Sequence, residues 1–149
     1  MRIVVQENTI SKTIKRLGEF IGVPQVQKQI GVIALAGVLR NFKSGGRSQS
    51  GGKGTWKPLA ASTIKRRRGG SSTPLRDTGI LMNGIHPEFP GNRVEISTAD
   101  QASKYAAHQH YGSKPAWAIR GLKIPARPYM MITDSDVREM NGIYKKFKV

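Results

Sequence analysis

Two histidines separated by a single residue are the first place in this sequence to look for chemistry. His108 and His110 lie in the stretch YAAHQHYG. Imidazole nitrogens ligate zinc and act as general bases, so both kinds of site are considered. On a helix, side chains two positions apart point about 200° apart, and on a strand two imidazoles leave a zinc site one protein ligand short. With His86 set before Pro87 and no ligand-spaced carboxylate nearby, the sequence predicts no metal site and no cofactor.

Other catalytic arrangements are also missing from the sequence. There is no G-x-S-x-G elbow for a serine nucleophile, and the start of a helix accounts for Asp134 and Asp136. The stretch GGKGT has a lysine but not the spacing of a phosphate-binding loop. No catalytic residue is predicted, and the protein is expected not to be an enzyme. A hydrolase that uses His108 is the alternative within this class.

Positive charge is the strongest compositional signal. The chain has 25 Lys and Arg against 9 Asp and Glu, a formal net charge of +16, and no acidic residue between Glu19 and Asp77. This charge predicts a polyanionic partner, either nucleic acid or acidic protein, although a solvated face that keeps the protein soluble is the simpler alternative. The candidate partner-facing residues are Arg47, Lys53, Lys65, Arg66, Arg67 and Arg68.

Length and composition predict one soluble domain over residues 1–149. The chain has no cysteine, which excludes disulfides and thiolate metal sites. Its longest apolar run, Ile30–Leu39, is about half as long as the ~20 residues that cross a bilayer, so no membrane association is expected.

The N-terminal part of the sequence predicts a short strand and two helices. Ile3–Val5 has the residue types of a strand, and apolar spacing predicts helices over Asn8–Ile21 and Pro24–Phe42. The second helix is apolar nearly all round at Ile30–Leu39, so it must be covered on several sides, by the domain core or by a second subunit. The candidate subunit-interface residues are Ile30, Ile33, Leu35 and Val38.

A glycine- and serine-rich loop follows the second helix. Residues 44–54 include five glycines and three serines, a composition that predicts a mobile loop. After it, Trp56 is interpreted either as a core anchor or as a stacking platform for a nucleic-acid base. Short helices are predicted over Leu59–Arg68 and up to Met82, the latter capped by Asp77 or Thr78.

The C-terminal half predicts strands and two helices. Arg93–Ser97 alternates, which places Val94 and Ile96 on one face of a strand, and residues 122–132 have β-forming residues interrupted by prolines. If Ala102–Tyr111 is helical, Gly112 ends it. A terminal amphipathic helix begins at a Thr133–Asp136 capping box.

Four short motifs follow one another along the chain: W-x-P-L with a following threonine and basic run, L-x-x-T-G-x-L, Y-A-x-H-Q, and I-P-x-R-P with an aromatic residue. Together they resemble the phage virion morphogenesis family, whose members include tail-completion proteins of contractile-tailed phages. The glycine-rich loop departs from the family pattern, which often has a Pro-Asp-Gly turn before the tryptophan. The matching residues are Trp56, Pro58, Leu59 and Thr63; Leu75, Thr78, Gly79 and Leu81; Tyr105, Ala106, His108 and Gln109; and Ile124, Pro125, Arg127, Pro128 and Tyr129.

The order of the predicted helices, loop and strands indicates a single α+β domain in which helices pack on a small antiparallel sheet. The resemblance implies that His108 and Gln109 are hydrogen-bonding members of a packing motif and that His110 is incidental. It also implies a structural protein at the head–tail junction that completes the tail and allows head–tail joining. The alternative is a sequence-nonspecific DNA-binding protein of the packaging or nucleoid type.

The partners expected from the resemblance are other parts of the virion. Copies of the chain are expected to form a ring, sixfold in symmetry once assembled and monomeric when free. Its neighbours would be connector or adaptor proteins, tail-terminator proteins and double-stranded DNA in the channel. The expected location is the neck of the virion, after assembly in the host cytoplasm.

Overall fold

The computed structural model describes residues 2–3, 24–52, 54–113 and 124–147, where helices pack on a small antiparallel sheet. This arrangement confirms the predicted α+β class. A 3₁₀ turn at Arg68–Gly70 follows the short helix Ala61–Arg66. The helices are α1 (Pro24–Ser44), α2 (Ala61–Arg66), α3 (Ile80–Asn83), α4 (Asp100–Tyr111) and α5 (Asp134–Phe147), and the strands are β1 (Arg2–Ile3), β2 (Ile85–Glu88) and β3 (Glu95–Thr98).

Helix α1 is the central element of the described fold and confirms the second predicted helix. Proline suits its first position, and the chain leaves the helix at Gly45, whose φ is 71°. A stripe of side chains four residues apart faces the core: Val26, Ile30, Ala34, Val38 and Phe42 are all buried. Because α1 packs against α5 on one side and against β2 and β3 on another, the chain's own core covers most of this apolar helix.

The subunit-interface prediction on α1 is therefore only partly compatible with the structure. Ile30 and Val38 are buried in the chain's own core. Ile33 and Leu35 are half-buried against that core. The apolar side chain that α1 does expose is Val32, which is 65% accessible and was not among the predicted residues.

The sheet has the order β1–β3–β2, and both pairings are antiparallel. The short β1 confirms a strand at the start of the chain, although Val4 and Val5 lie outside the described residues. Strand β3 confirms a strand within the predicted range Arg93–Ser97, and all four of its residues are buried. Strand β2 was not predicted because it contains Pro87. That residue is tolerated because β2 is an edge strand of the described sheet.

Three local predictions are wrong or untested. The prolines at positions 125 and 128 remove backbone donors, and residues 124–133 run as irregular chain rather than as a strand. Gly79 (φ 80°) is the N-cap residue of helix α3, and no side chain caps the helix, so neither Asp77 nor Thr78 does so. The predicted helix Asn8–Ile21 lies outside the described residues.

Helix α5 begins with the predicted capping box. The backbone N–H of Thr133 donates to Oδ2 of Asp136 at 2.9 Å, and the Thr133 hydroxyl donates to the same oxygen at 2.8 Å. The carboxylate thus satisfies the backbone donor of Thr133, which is the half of a capping box that the acidic residue supplies. Met140 and Ile143 are buried on the inward face, while Lys145 and Lys146 lie at the end of the helix, where positive charge is favourable.

Hydrogen bonds join the glycine-rich loop to the core. The N–H of Gly46 donates to Asn41 O at 2.9 Å, and the side chain of Gln49 donates to Ile132 O and to Asp134 Oδ1. Gly46 has a φ of 98° and lies against Trp56, so a side chain there would collide with the indole. These hydrogen bonds join residues 44–52 to the core, and the mobility of the loop stays a prediction.

A glycine on α1 allows the two longest described helices to approach closely. A Cβ at Gly37 would lie 2.8 Å from the carboxylate carbon of Asp136, which other hydrogen bonds hold in place. Gly37→Ala is expected to lower the free energy of unfolding by roughly 1–3 kcal/mol because of this overpacking. Urea unfolding followed by circular dichroism measures the change.

Gly142 in α5 provides the matched control. No heavy atom lies within 4 Å of a Cβ built there, so Gly142→Ala is expected to raise stability by up to ~1 kcal/mol through helix propensity. If the two alanine variants changed stability in the same direction, the proposed close approach at Gly37 would be wrong.

Candidate interaction surfaces and their buried support

Aromatic residues from distant parts of the chain meet in the core. The ring of Phe42 contacts Trp56 edge-on, with centroids 5.9 Å apart, and also contacts Tyr129 at 5.3 Å. Tyr129 in turn contacts the ring of His110 at 5.3 Å. Such tilted and edge-on pairs add to the stabilisation from burial. The structure therefore identifies Trp56 as a core anchor rather than a stacking platform.

Hydrogen bonds link the same motifs. The Tyr129 hydroxyl donates to Ala106 O at 3.4 Å, and the N–H of Arg127 donates to Gln109 O at 2.9 Å. The guanidinium of Arg127 donates to Lys57 O through Nε and Nη2, at 3.3 and 3.2 Å. Side-chain and backbone donors of the last motif thus reach backbone carbonyls of two motifs far away in the chain.

The packing interpretation does not extend to every motif residue. Leu59, Gly79, Tyr105, Gln109 and Pro125 are half-buried, whereas Arg127 is buried. Four others are exposed and so contribute no burial to the core: Pro58, Thr78, His108 and Pro128.

A buried carboxylate joins α1, the glycine-rich loop and α5. Asp136 is fully buried and accepts hydrogen bonds from Arg47 Nη2 at 2.6 Å and from Arg40 Nη2 at 2.7 Å. Arg47 also donates from Nε to Asn41 Oδ1 at 2.8 Å and from Nη2 to Gly37 O at 3.1 Å. Asn41 continues the network by donating to Tyr129 O at 2.7 Å. This cluster connects the loop to the aromatic core.

The electrostatics of this cluster indicate a structural role. Burial alone would raise the pKa of Asp136, but the backbone N–H of Thr133 and the guanidiniums of Arg47 and Arg40 outweigh it and hold that pKa below its usual value. A carboxylate that is ionised and fully hydrogen-bonded is a poor proton acceptor. Asp136 is therefore a support for the fold, and the sequence identified it only as part of a helix cap.

The two histidines have the reverse of their predicted roles. His108 is exposed, whereas His110 is 9% accessible and packs on Tyr129 and Tyr111. The assignment of His110 as incidental is wrong, because α4 directs position 110 inward and position 108 outward. Burial lowers the pKa of His110, and its Nδ1 has no hydrogen bond among the described residues.

The burial of His110 predicts a loss of stability in mild acid. The unfolded chain takes up a proton near pH 6.5, whereas the folded chain resists protonation, so stability is expected to fall as the pH drops below about 6.5. For a single group this slope cannot exceed ~1.4 kcal/mol per pH unit. Urea midpoints measured at a series of pH values test this.

Two variants test whether His110 causes this dependence of stability on pH. His110→Phe preserves the aromatic packing and should remove the slope, whereas His108→Ala, at an exposed position, should leave it unchanged. An equal slope in the wild-type protein and in His110→Phe would show that another group causes it.

The basic surface is built around α2 and the turn that follows it. Lys65, Arg66 and Arg68 are exposed, as the partner-facing prediction requires. Arg67 is half-buried and donates to the carbonyls of Ser71 and Thr73. Arg47 does not belong to this surface because it is buried against Asp136, and Lys53 lies outside the described residues.

Metal-binding clusters and membrane-spanning helices are both missing from the described ranges. These ranges contain no group of three His, Asp or Glu side chains placed to hold a metal ion. Among their helices, none combines the length and apolar character needed to span a bilayer.

The convergence of the four motifs agrees with what comparison with known proteins finds. The model of the phage virion morphogenesis family matches residues 7–147. The chain belongs to this family. A relative from Haemophilus influenzae, the Mu-like prophage FluMu G protein 2, is 37% identical over 99 residues, which are 66% of this chain and 59% of the relative. The chain thus aligns with less than two thirds of the length of that relative. No solved structure matches this chain.

Family membership confirms the resemblance and gives the protein a role in phage virion morphogenesis. Several residues of the family motifs are part of the core. Trp56, Tyr129 and Arg127 are buried in this chain.

Proposed function

We propose that this virion morphogenesis protein acts at the head–tail junction, where it completes the tail and allows stable joining to the DNA-filled head. The observation that supports this proposal most directly is family membership over residues 7–147. The net charge of +16 supports the proposal, because a protein beside packaged DNA or acidic neighbours gains from positive charge.

The proposed role is structural and non-catalytic. The buried carboxylate of Asp136 is engaged by Arg40, Arg47 and Thr133, and the exposed His108 has no acidic partner among the described residues. These observations favour a role in assembly over a catalytic role.

In the proposal, identical copies form a sixfold ring around the DNA path, with connector and tail-terminator proteins as neighbours in the virion neck.

Particles made without the protein test this role. Phage production from a prophage that carries a deletion of the coding sequence should yield filled heads and separate, unattached tails in electron micrographs. Supplying the wild-type chain in trans should restore joined particles. Normal infectious particles in its absence would contradict the proposal.

A sequence-nonspecific DNA-binding protein is the second candidate, and the exposed cluster at Lys65, Arg66 and Arg68 is the observation in its favour. Such a protein should shift duplex DNA at low salt, with an affinity that falls steeply as salt rises. Replacing all three residues by serine should reduce affinity by about tenfold or more, because fewer phosphates are then neutralised and fewer counterions are released.

The matched control removes positive charge elsewhere. Lys145 and Lys146 are exposed at the end of α5, and their replacement by serine tests whether charge alone matters. Tight DNA binding by the free subunit that is lost in the α2 serine variant and kept in the α5 serine variant would favour the DNA-binding function. Weak binding that is equally reduced in both variants would favour the junction role.

A further inference from the structure

Two arginines are buried in the described part of this protein, and only one of them has a negative partner there. Arg47 is 9% accessible and pairs with Asp136 at 2.6 Å. Arg127 is 5% accessible, and its hydrogen bonds go to a neutral acceptor, the carbonyl oxygen of Lys57. An ionised group removed from water is strongly disfavoured unless a counter-charge compensates for it. The difference between the two arginines needs an explanation.

The surroundings of Arg127 make its charge less favourable still. Burial lowers the pKa of Arg127, and the positive charge of the nearby Arg67 lowers it further. Arg67 is held at its place by the carbonyls of Ser71 and Thr73. Within the described ranges no carboxylate lies at ion-pair distance from either guanidinium. Within the described ranges, both guanidiniums therefore donate only to carbonyl oxygens.

The sequence outside the described residues has two acidic side chains, Glu7 and Glu19. Residues 114–123, which lead into the Arg127 segment, contain no Asp or Glu and add Lys114, Arg120 and Lys123. No acidic residue occurs between Glu19 and Asp77, the interval that contains Lys57 and Arg67. The sequence stretches 20–76 and 114–133 therefore carry positive charge and no carboxylate side chain.

The free edge of the guanidinium suits a planar anion. Arg127 uses Nε and Nη2 toward Lys57, while Nη1 donates no hydrogen bond within the described residues. Guanidinium groups bind carboxylates and phosphates through paired N–H donors, a geometry that lysine cannot reproduce. The exposed side chains of Lys57 and Arg66 add long-range attraction.

We propose that Arg127 and Arg67 form a binding site for a carboxylate of an acidic segment in a neighbouring virion protein. The recessed position favours a carboxylate over a DNA phosphate. A phosphodiester in a duplex is flanked by sugars that keep it from a guanidinium that is only 5% accessible, whereas Asp and Glu present a carboxylate at the end of a slim side chain. The exposed lysines and arginines around the site would attract the rest of the acidic segment.

The test uses the purified full-length protein and a fluorescently labelled oligoglutamate peptide, with binding followed by anisotropy over a salt series. The wild-type protein is expected to bind the peptide. Arg127→Met should weaken binding by roughly 30-fold or more, as expected when one partner of a buried charge pair is removed. Arg127→Lys, which keeps the charge but loses the paired donors, should also weaken it, and Arg67→Ala should do so by up to about fivefold.

Arg138→Ala is the matched control, because Arg138 is exposed on α5, has the same charge, and should leave peptide affinity unchanged. Circular dichroism shows which variants are folded. If Arg127→Met does not fold, the peptide affinities of Arg127→Lys and Arg67→Ala decide the test.

Three results would overturn the proposal. These are no peptide binding by the wild-type protein, an equal loss of affinity in Arg138→Ala, or preferential binding of duplex DNA of matched charge that depends on Arg127. The last result would assign the site to nucleic acid. Because the assay uses isolated protein, its outcome is independent of the role at the head–tail junction.

Discussion

Replacing Asp136 with alanine is expected to lower the free energy of unfolding by about 3–5 kcal/mol, because it leaves a buried arginine without its negative partner. Arg47 is 9% accessible and cannot turn to water without leaving the core. Arg40 is partly exposed and retains Glu139 as a second acceptor at 3.1 Å, so its share of the loss is small. Urea unfolding at neutral pH followed by circular dichroism measures the change.

The dependence on pH should identify Asp136 as the group responsible. Its pKa in the folded state is held below the usual value, so its contribution to stability is complete above about pH 4, the value for an unfolded chain. That contribution is lost as the pH falls through the lower folded value. The wild-type protein should therefore lose stability in acid more steeply than Asp136→Ala does.

Two further variants make this prediction specific. Glu139→Ala removes an exposed carboxylate from the same arginine and should change stability by less than about 0.5 kcal/mol. Combining Asp136→Ala with Arg47→Met should recover part of the loss, because the unpaired charge is removed together with its partner. If Glu139→Ala destabilised the protein as much as Asp136→Ala, the buried pair would not be the main support.

Truncation of Trp56 to alanine is expected to lower the free energy of unfolding by roughly 3–5 kcal/mol. The indole is 6% accessible and meets the ring of Phe42 edge-on. It also packs against the backbone of Gly46, so its removal would loosen the start of the glycine-rich loop. Thermal and urea unfolding of the purified variant test the prediction.

Exposed and conservative replacements provide the controls. Tyr111 is a large aromatic residue that is 69% accessible, and Tyr111→Ala should change stability by less than about 0.5 kcal/mol. Trp56→Phe should retain much of the stability because it keeps an aromatic ring against Phe42. A loss below about 1 kcal/mol in Trp56→Ala would contradict the assignment as a core anchor and favour an exposed stacking role.

Local sequence signals predicted the long and strongly patterned elements well. The apolar spacing of α1 and the capping box of α5 are properties of neighbouring residues, so they can be recognised without the rest of the fold. Strand β2 escaped prediction because Pro87 is acceptable only at an edge, and the position of a strand in a sheet is not a local property.

The candidate sites were predicted less well, because burial decides what a charged side chain does. Arg47 and Arg66 have the same chemistry in the sequence, yet one is enclosed beside a carboxylate and the other is exposed. The glycine-rich loop has a composition typical of mobile segments, yet hydrogen bonds to Asn41 and to the distant Asp134 hold it in place.

The sequence by itself determined the α+β class, the excess of positive charge and the membership of a virion morphogenesis family, because these depend on residue types and their order. Only the tertiary structure decided which of two neighbouring histidines is buried and which buried arginine lacks a carboxylate among the described residues. The physical reason is that desolvation and charge pairing depend on distances between residues up to about a hundred positions apart, such as Arg47 and Asp136. Those distances exist only once the helices have packed.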